Sequence, residues 1–284
     1  MTDNHRGKQF SGATRYVLDA ELAKIVNITM ALEMPLLLKG EPGTGKTMLA
    51  HAIAENLKMP LIVLNVKSSM KLIDALYQYD TLTRLNDSRF GDSSRDVSNI
   101  EDYIKMGKIG QSFTADRRTV LLIDEIDKAD TDFQDDMLDV LDQMEFDIIE
   151  IDKTLKARSR PVIIITSNSK KNLSDPFLGR CNFHHIAFPD PEMMRRIIAV
   201  HFPDIDTDLM QQSVAAFYRL RDLDAIEKKP ATRELLNWIR ALRTDPDFKP
   251  KQLAKGDVPY LGVLFKRSQD LQRAQAMGTG RRAY

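Results

Sequence analysis

Gly40-Glu41-Pro42-Gly43-Thr44-Gly45-Lys46-Thr47 is the stretch on which the reading of this chain turns. Glycines at these offsets let the backbone curl until several N–H groups point at one phosphate. A helix expected to begin near Lys46 adds its positive N-terminal end to the same spot. Lys46 is placed to reach the outer phosphates of a nucleotide, and Thr47 to offer its hydroxyl to Mg²⁺. Gly40, Glu41, Pro42, Gly43, Thr44, Gly45, Lys46, Thr47 and the following Met48 are therefore the candidate nucleotide-binding residues, and the spacing matches the P-loop pattern in full. The context supports it, because an apolar run, Pro35–Lys39, leads in and a helical pattern, Met48–Leu57, leads out.

The second half of the site lies at Val120-Leu121-Leu122-Ile123-Asp124-Glu125, an apolar strand ending in two acids. In open α/β sheets ligands bind beyond the carboxyl ends of the strands, where this run would deliver both carboxylates. Asp124 is the candidate for holding Mg²⁺, through a water, and Glu125 for polarising the attacking water. Capping of the next helix is the plainer use of such acids. A guanine-reading Asn/Thr-Lys-x-Asp signature is missing; Asn168-Ser169-Lys170-Lys171 comes nearest and lacks the Asp. ATP is thus the expected nucleotide.

Working outward, five apolar runs have the length of buried strands: Pro35–Lys39, Leu61–Val66, Thr119–Asp124, Pro161–Ser167 and His185–Phe188. Each is nearly continuous rather than alternating, as strands covered on both faces are. Helical patterns between several of them predict an α/β fold with a parallel sheet and right-handed crossovers. Thr131–Met144 is amphipathic, with Phe133, Met137, Leu138 and Leu141 on one face and Asp132, Asp135, Asp136, Asp139 and Asp142 on the other. That acidic stripe reads as a solvated face; a contact surface for a basic neighbour or partner is the alternative. Phe146–Ile151 and Lys153–Arg160 form an expected hairpin, and polar Asn86–Asn99 an expected loop insertion. Beyond Pro189 only helical patterns follow, at Pro191–His201, Thr207–Leu220, Thr232–Leu242 and Leu261–Ala276, with Trp238 in their core. The division expected is an α/β nucleotide-binding domain over 1–190 and a small all-α lid over 191–284, ending in a loose tail, Gly278–Tyr284.

Composition bounds the rest. With 284 residues, 43% apolar and 29% charged, the chain can bury a sizeable core. Lys plus Arg and Asp plus Glu both number 41, so no net charge draws the whole molecule to nucleic acid or an anionic membrane. One cysteine, Cys181, leaves no internal disulfide and fits a reducing, cytoplasmic setting. No apolar leader or membrane-length run is found. Cys181-x-x-His184-His185 gathers metal-ligand types but lacks the further ligands a zinc site needs.

The ordered set Lys39–Thr47, Leu122-Ile123-Asp124-Glu125-Ile126-Asp127-Lys128-Ala129 and Ile164-Ile165-Thr166-Ser167-Asn168 resembles the AAA+ superfamily, and more narrowly its MoxR-type ATPases, over roughly Gly12 to Asp270. The resemblance implies that Asn168 is the polar sensor that orients water, and that Arg180 is an arginine finger for a neighbouring subunit. Here Gly-Arg-Cys-Asn replaces the Asp-Arg-Phe-like triplet of many relatives, which leaves a surface or salt-bridged arginine as the alternative. Arg233 matches the second sensor, at a helix start with Thr232 as the expected cap, and Tyr16 and Val17 match the adenine-lining segment. Catalytic roles thus fall on Glu125, Lys46, Asn168, Arg180 and Arg233. The region after Val66 and the hairpin match family insertions. The resemblance further implies a homo-oligomeric ring, a hexamer, acting as an ATP-driven chaperone. Its implied partners are a von Willebrand factor A-domain protein and a client metalloenzyme. The branch it is most similar to serves carbon-monoxide-dehydrogenase-type molybdenum enzymes. Two rival readings are an ATP-dependent switch or scaffold with little turnover, and a DNA-acting AAA+ machine.

Overall fold

Apolar strands that cannot expose either face set the architecture. A computed structural model describes residues 9–91, 95–168 and 173–278. In chain order the helices are α1 Ala20–Leu32, α2 Lys46–Leu57, α3 Leu72–Leu76, α4 Thr81–Phe90, α5 Lys108–Thr114, α6 Thr131–Gln143, α7 Asp175–Gly179, α8 Pro191–His201, α9 Thr207–Arg221, α10 Thr232–Thr244, α11 Lys251–Ala254, α12 Leu261–Leu264 and α13 Ser268–Gly278. The strands are β1 Leu36–Lys39, β2 Leu61–Asn65, β3 Tyr77–Tyr79, β4 Ile104–Met106, β5 Val120–Asp124, β6 Glu145–Ile148, β7 Lys153–Lys156, β8 Val162–Ser167 and β9 Asn182–His185. Five strands form one all-parallel sheet in the order β2-β5-β8-β1-β9.

The three central strands are the driest. Leu36, Leu37 and Leu38 of β1 are inaccessible to water, as are Val120 to Ile123 of β5, and all of β8 is buried. Burying such side chains on both faces contributes about 1.5–3 kcal/mol each, so the register is strongly specified. It pairs Leu36 with Ile164 and Ile123 with Ile165. That register brings the ends of β1, β5 and β8 side by side, with Gly40 after β1, Asp124 and Glu125 at the end of β5 and Asn168 after β8 all at the carboxyl edge.

The chain divides into two compact units. The first contains residues through Ala13, Leu18–Gly40 and Lys46–Ile186; the second contains Thr14–Val17, Glu41–Gly45 and the chain from Ala187 onward. Each has its own apolar core. The first is built on Leu37, Leu121, Ile165, Phe113, Met137 and Leu138, the second on Met194, Ile198, Phe217, Leu235, Trp238 and Ile239. No strand occurs in the second unit's described residues from 187 onward. Trp238 is fully buried there, its indole N–H donating to the Pro259 carbonyl at 2.8 Å.

Several expectations are corrected. The fifth strand is Asn182–His185, not His185–Phe188, with Asn182 to His185 pairing along Leu36 to Lys39. As an edge strand it alternates half-buried and exposed residues, so the apolar run after it marks the wrong segment. Asn86 to Phe90 are the second half of α4 rather than a loop. Asp80 caps that helix by accepting from the Thr83 N–H at 3.0 Å, Arg84 ties it to the Val97 carbonyl and the Tyr79 hydroxyl, and Gly91 ends it in the left-handed region. Residues 92–94 of the expected insertion lie outside the described residues. Leu261–Ala276 is two helices, α12 and α13, interrupted at Phe265–Arg267. The hairpin is β6–β7, antiparallel, with Glu145 opposite Lys156. Positions 279–284 of the expected tail lie outside the described residues, as do Ser169, Lys170 and Lys171.

Candidate active site

In the first unit Asp124 and Glu125 are held by a set of neighbouring polar side chains. The Lys46 ammonium, nearly buried, donates to the Gly40 carbonyl at 2.9 Å, which closes the loop onto its own start. Thr47, one residue into α2, donates from its hydroxyl to Asp124 Oδ1 at 3.0 Å. A hydroxyl with that donor bond still has lone pairs to present to a cation. Met48, next along α2, is about half exposed.

Asp124 and Glu125 lie at the point where β5 leaves the sheet. Glu125 has φ 60° and ψ 50°, the left-handed region, which costs a non-glycine residue of order 1–3 kcal/mol and persists only where its surroundings hold it. Three contacts hold Glu125 and a fourth fixes one of its partners. The Glu125 N–H donates to the Thr166 hydroxyl at 2.9 Å, and Asn168 Nδ2 donates to Glu125 Oε1 at 2.9 Å. The Asn168 N–H is fixed in turn by buried Asp127, at 3.1 Å to Oδ1. Lys128 pairs with Glu125 Oε2, and that bond holds the lysine above its ordinary range. Asp124, Glu125, Thr47 and Asn168 are thus brought together, each within a hydrogen bond of another member.

Arg180 is placed elsewhere in the same unit. It ends α7 and reaches back to α6, with Nε 2.8 Å from Asp142 Oδ2 and Nη2 3.7 Å from Asp139 Oδ1. Its side chain is 41% exposed. Part of the acidic stripe of α6 therefore meets a basic neighbour within the chain. Cys181 beside it is buried, and that burial pushes its thiol up to about 12.

The second unit holds the other part of the loop. Gly43 has φ +81°, and a Cβ there would lie 2.7 Å from the Ala231 Cβ and 3.2 Å from the Thr232 nitrogen. Gly45 has φ +92°, with the Tyr16 ring 3.4 Å from where its Cβ would stand. Gly43 is required both for its dihedral and for close approach, while Gly45 is required for its positive φ, the Tyr16 ring lying at ordinary van der Waals distance. Tyr16 and Val17 are half-buried, and burial raises the Tyr16 phenol, which stays neutral. Glu41 pairs with Arg221, a buried guanidinium that also donates to the Pro230 carbonyl at 2.7 Å and lies 3.5 Å over the Phe188 ring. Arg233 is exposed in the first turn of α10. The expected Thr232 cap is corrected: Thr232 is the first helical residue, where the pattern Thr232–Leu242 begins, and Ala231 occupies the cap position, its N–H donating to Glu234 at 3.1 Å.

Sequence reasoning gave no role to Thr166, Asp127, Lys128 or Arg221. Asp127 and Lys128 sit inside a quoted motif, so proximity was a usable signal. Thr166 also sits inside a quoted motif, two residues before Asn168, whereas Arg221 gave no signal, since an arginine in a helix is common.

A glycine-rich turn after the first strand, a lysine and threonine opening the next helix, and paired acids at the end of β5, one strand removed from β1 in the same sheet, define a P-loop nucleotide-binding protein. A family model described as the ATPase family associated with various cellular activities (AAA) matches residues 36–189. The chain belongs to the AAA family. Among solved structures it is similar to a mutant of Thermotoga maritima RuvB (15% identity, TM-score 0.53), covering 93% of this chain and 72% of that one. It is also similar to the Thermotoga maritima RuvB Holliday junction branch migration motor (15% identity, TM-score 0.50), with the same shares covered. At that identity the likeness is one of fold.

Proposed function

We propose that this chain hydrolyses ATP and uses the cycle to remodel a partner protein, working as a homo-oligomeric ring, a hexamer, of the MoxR type. The observation that carries the hydrolytic part is the Glu125 carboxylate held by Asn168, one residue from an Asp124 that already takes the Thr47 hydroxyl. A protein that only binds nucleotide has no use for a carboxylate kept in a strained backbone beside the cation ligands.

The chain's residues fit an ATP–Mg²⁺ substrate. Gly43 and Gly45 have the positive φ angles and the lack of side chains that a backbone phosphate cradle requires. Thr47 and Asp124 would supply hard oxygen groups of the kind Mg²⁺ prefers. A bound Mg²⁺ would neutralise charge on the phosphate oxygens. Lys46 would bind the outer phosphates, exchanging its bond to the Gly40 carbonyl. Glu125 would take a proton from the attacking water, with Asn168 holding the carboxylate oriented. Arg233 would sense the γ-phosphate from α10, and Tyr16 and Val17 would line the adenine pocket. Arg180 would serve a neighbouring subunit rather than its own.

By the MoxR resemblance, the partners are a von Willebrand factor A-domain protein and a client metalloenzyme; the single cysteine fits a cytoplasmic compartment. No helix among the described residues is long and apolar enough to cross a membrane. A DNA-acting role is the alternative that the likeness to a Holliday junction branch migration motor brings in. Zero net charge weighs against it. Steady-state hydrolysis decides the central claim. Glu125→Gln is expected to lower turnover about 10²–10⁴-fold while ATP still binds; equal rates would remove the mechanism. Tight, salt-sensitive filter binding of DNA would move the reading to the nucleic-acid class.

A further inference from the structure

We infer that Thr166 is a positioning residue that ties the cation-side acid to the water-side acid; the inference rests on the hydrolytic reading above. Thr166 is 1% exposed. The register Ile123 with Ile165 sets it beside Asp124 on the neighbouring strand. Its hydroxyl donates to Asp124 Oδ1 at 2.6 Å and accepts from the Glu125 N–H at 2.9 Å. A hydroxyl has one proton. With that proton committed to Asp124, only its lone pairs face Glu125, so the N–H of Glu125 is the complementary partner and no polar group in the relay is left over. The 2.6 Å contact is in the range of a bond to an ionised carboxylate.

Two threonines therefore converge on one oxygen: Thr47 and Thr166 both donate to Asp124 Oδ1. Thr47 answers to the cation, Thr166 to the backbone that carries Glu125. A displacement of Asp124 toward a cation draws Thr166 with it, and the left-handed peptide of Glu125 follows. Occupancy at the metal position is thereby reported to the residue that activates water, through one buried side chain.

Thr166→Val keeps the branched shape and removes the hydroxyl; Thr166→Ser keeps the hydroxyl. The Mg²⁺ concentration for half-maximal turnover is expected to rise, and kcat at saturating Mg²⁺ to fall, each by about 10-fold in Thr166→Val, as for a lost buried bond to a charged group. Binding of a fluorescent ATP analogue in EDTA is expected to stay within about twofold, and the extra thermal stabilisation that Mg²⁺ adds to the nucleotide-bound protein to shrink. Thr166→Ser is expected to recover most of each. A Thr166→Val enzyme with the wild-type Mg²⁺ midpoint and kcat overturns the inference, and so does a Ser variant as impaired as Val. If Thr166→Val does not fold, Thr166→Ala compared with Thr166→Ser gives the same readings. Loss of turnover in Glu125→Gln together with an unaffected Thr166→Val removes this inference alone; an unaffected Glu125→Gln removes the reading beneath it.

Discussion

Two polar clusters in the first unit are built in opposite ways. At the ends of β5 and β8, Asp124, Glu125, Thr166 and Asn168 are bonded to one another at 2.6–2.9 Å around a buried threonine. On α6, Arg180 rests against Asp139 and Asp142 with two-fifths or more of every side chain exposed. The first cluster converges on a threonine hydroxyl that water does not reach, although Glu125 itself is 38% exposed, and a network with such a buried member is costly to leave half-satisfied. An exposed arginine pair contributes about 0–1 kcal/mol and is easily exchanged for another anion. The first arrangement suits groups that work within their own subunit. The second suits a group that has to leave its resting place for a phosphate on a neighbour.

The sharpest way to break that contrast is Arg180→Ala. If Arg180 acts in trans, turnover is expected to fall about 10³–10⁵-fold, with ATP binding retained. Mixing this variant with Lys46→Ala is expected to restore part of the activity, since each would supply what the other lacks. Absence of rescue in rings verified as mixed would count against action between subunits.

A smaller effect is expected from Asp142→Asn, which removes the nearer resting partner of Arg180. Unfolding free energy is expected to change by no more than about 1 kcal/mol, read as denaturant midpoint, and turnover by less than about threefold, because the resting contact is not the working one. A loss of turnover approaching that of Arg180→Ala would make α6 part of the reaction machinery and erase the distinction. The smallest effect concerns Cys181, next to Arg180. Its thiol lies at about 12 in the folded protein against an ordinary 9.0. The folded state therefore holds its proton more tightly, and the stabilisation is full below pH 9.0 and declines as pH rises toward about 12. At a pH of about 8, alkylation of the native protein is expected to be much slower than after unfolding; equal rates would show the site open.

The local part of the site was legible in the sequence. The phosphate loop needs its glycines, lysine and threonine at fixed spacing, and a strand end delivers Asp124 and Glu125 together, so one window of residues states each. The AAA family match agrees with that reading of the fold. The non-local part was not legible. Thr166 acquires its role only when β8 pairs with β5, and nothing in Ile-Ile-Thr-Ser announces the register. Edge strand β9 was misread for a related reason: continuous apolar runs signal strands covered on both faces, and β9 is covered on one. Arg221 was missed because its partners, Glu41, Phe188 and Pro230, are scattered along the chain.

The left-handed backbone at Glu125 has a consequence for how this position can change. Asn and Gly adopt those dihedrals more readily than Glu does. A library ranked for thermal tolerance alone would drift toward them, while one ranked for phosphate release would return glutamate. If Glu125 activates water as proposed, the sturdiest protein and the working protein differ at residue 125, and the gap between them measures what keeping one carboxylate in place costs the chain.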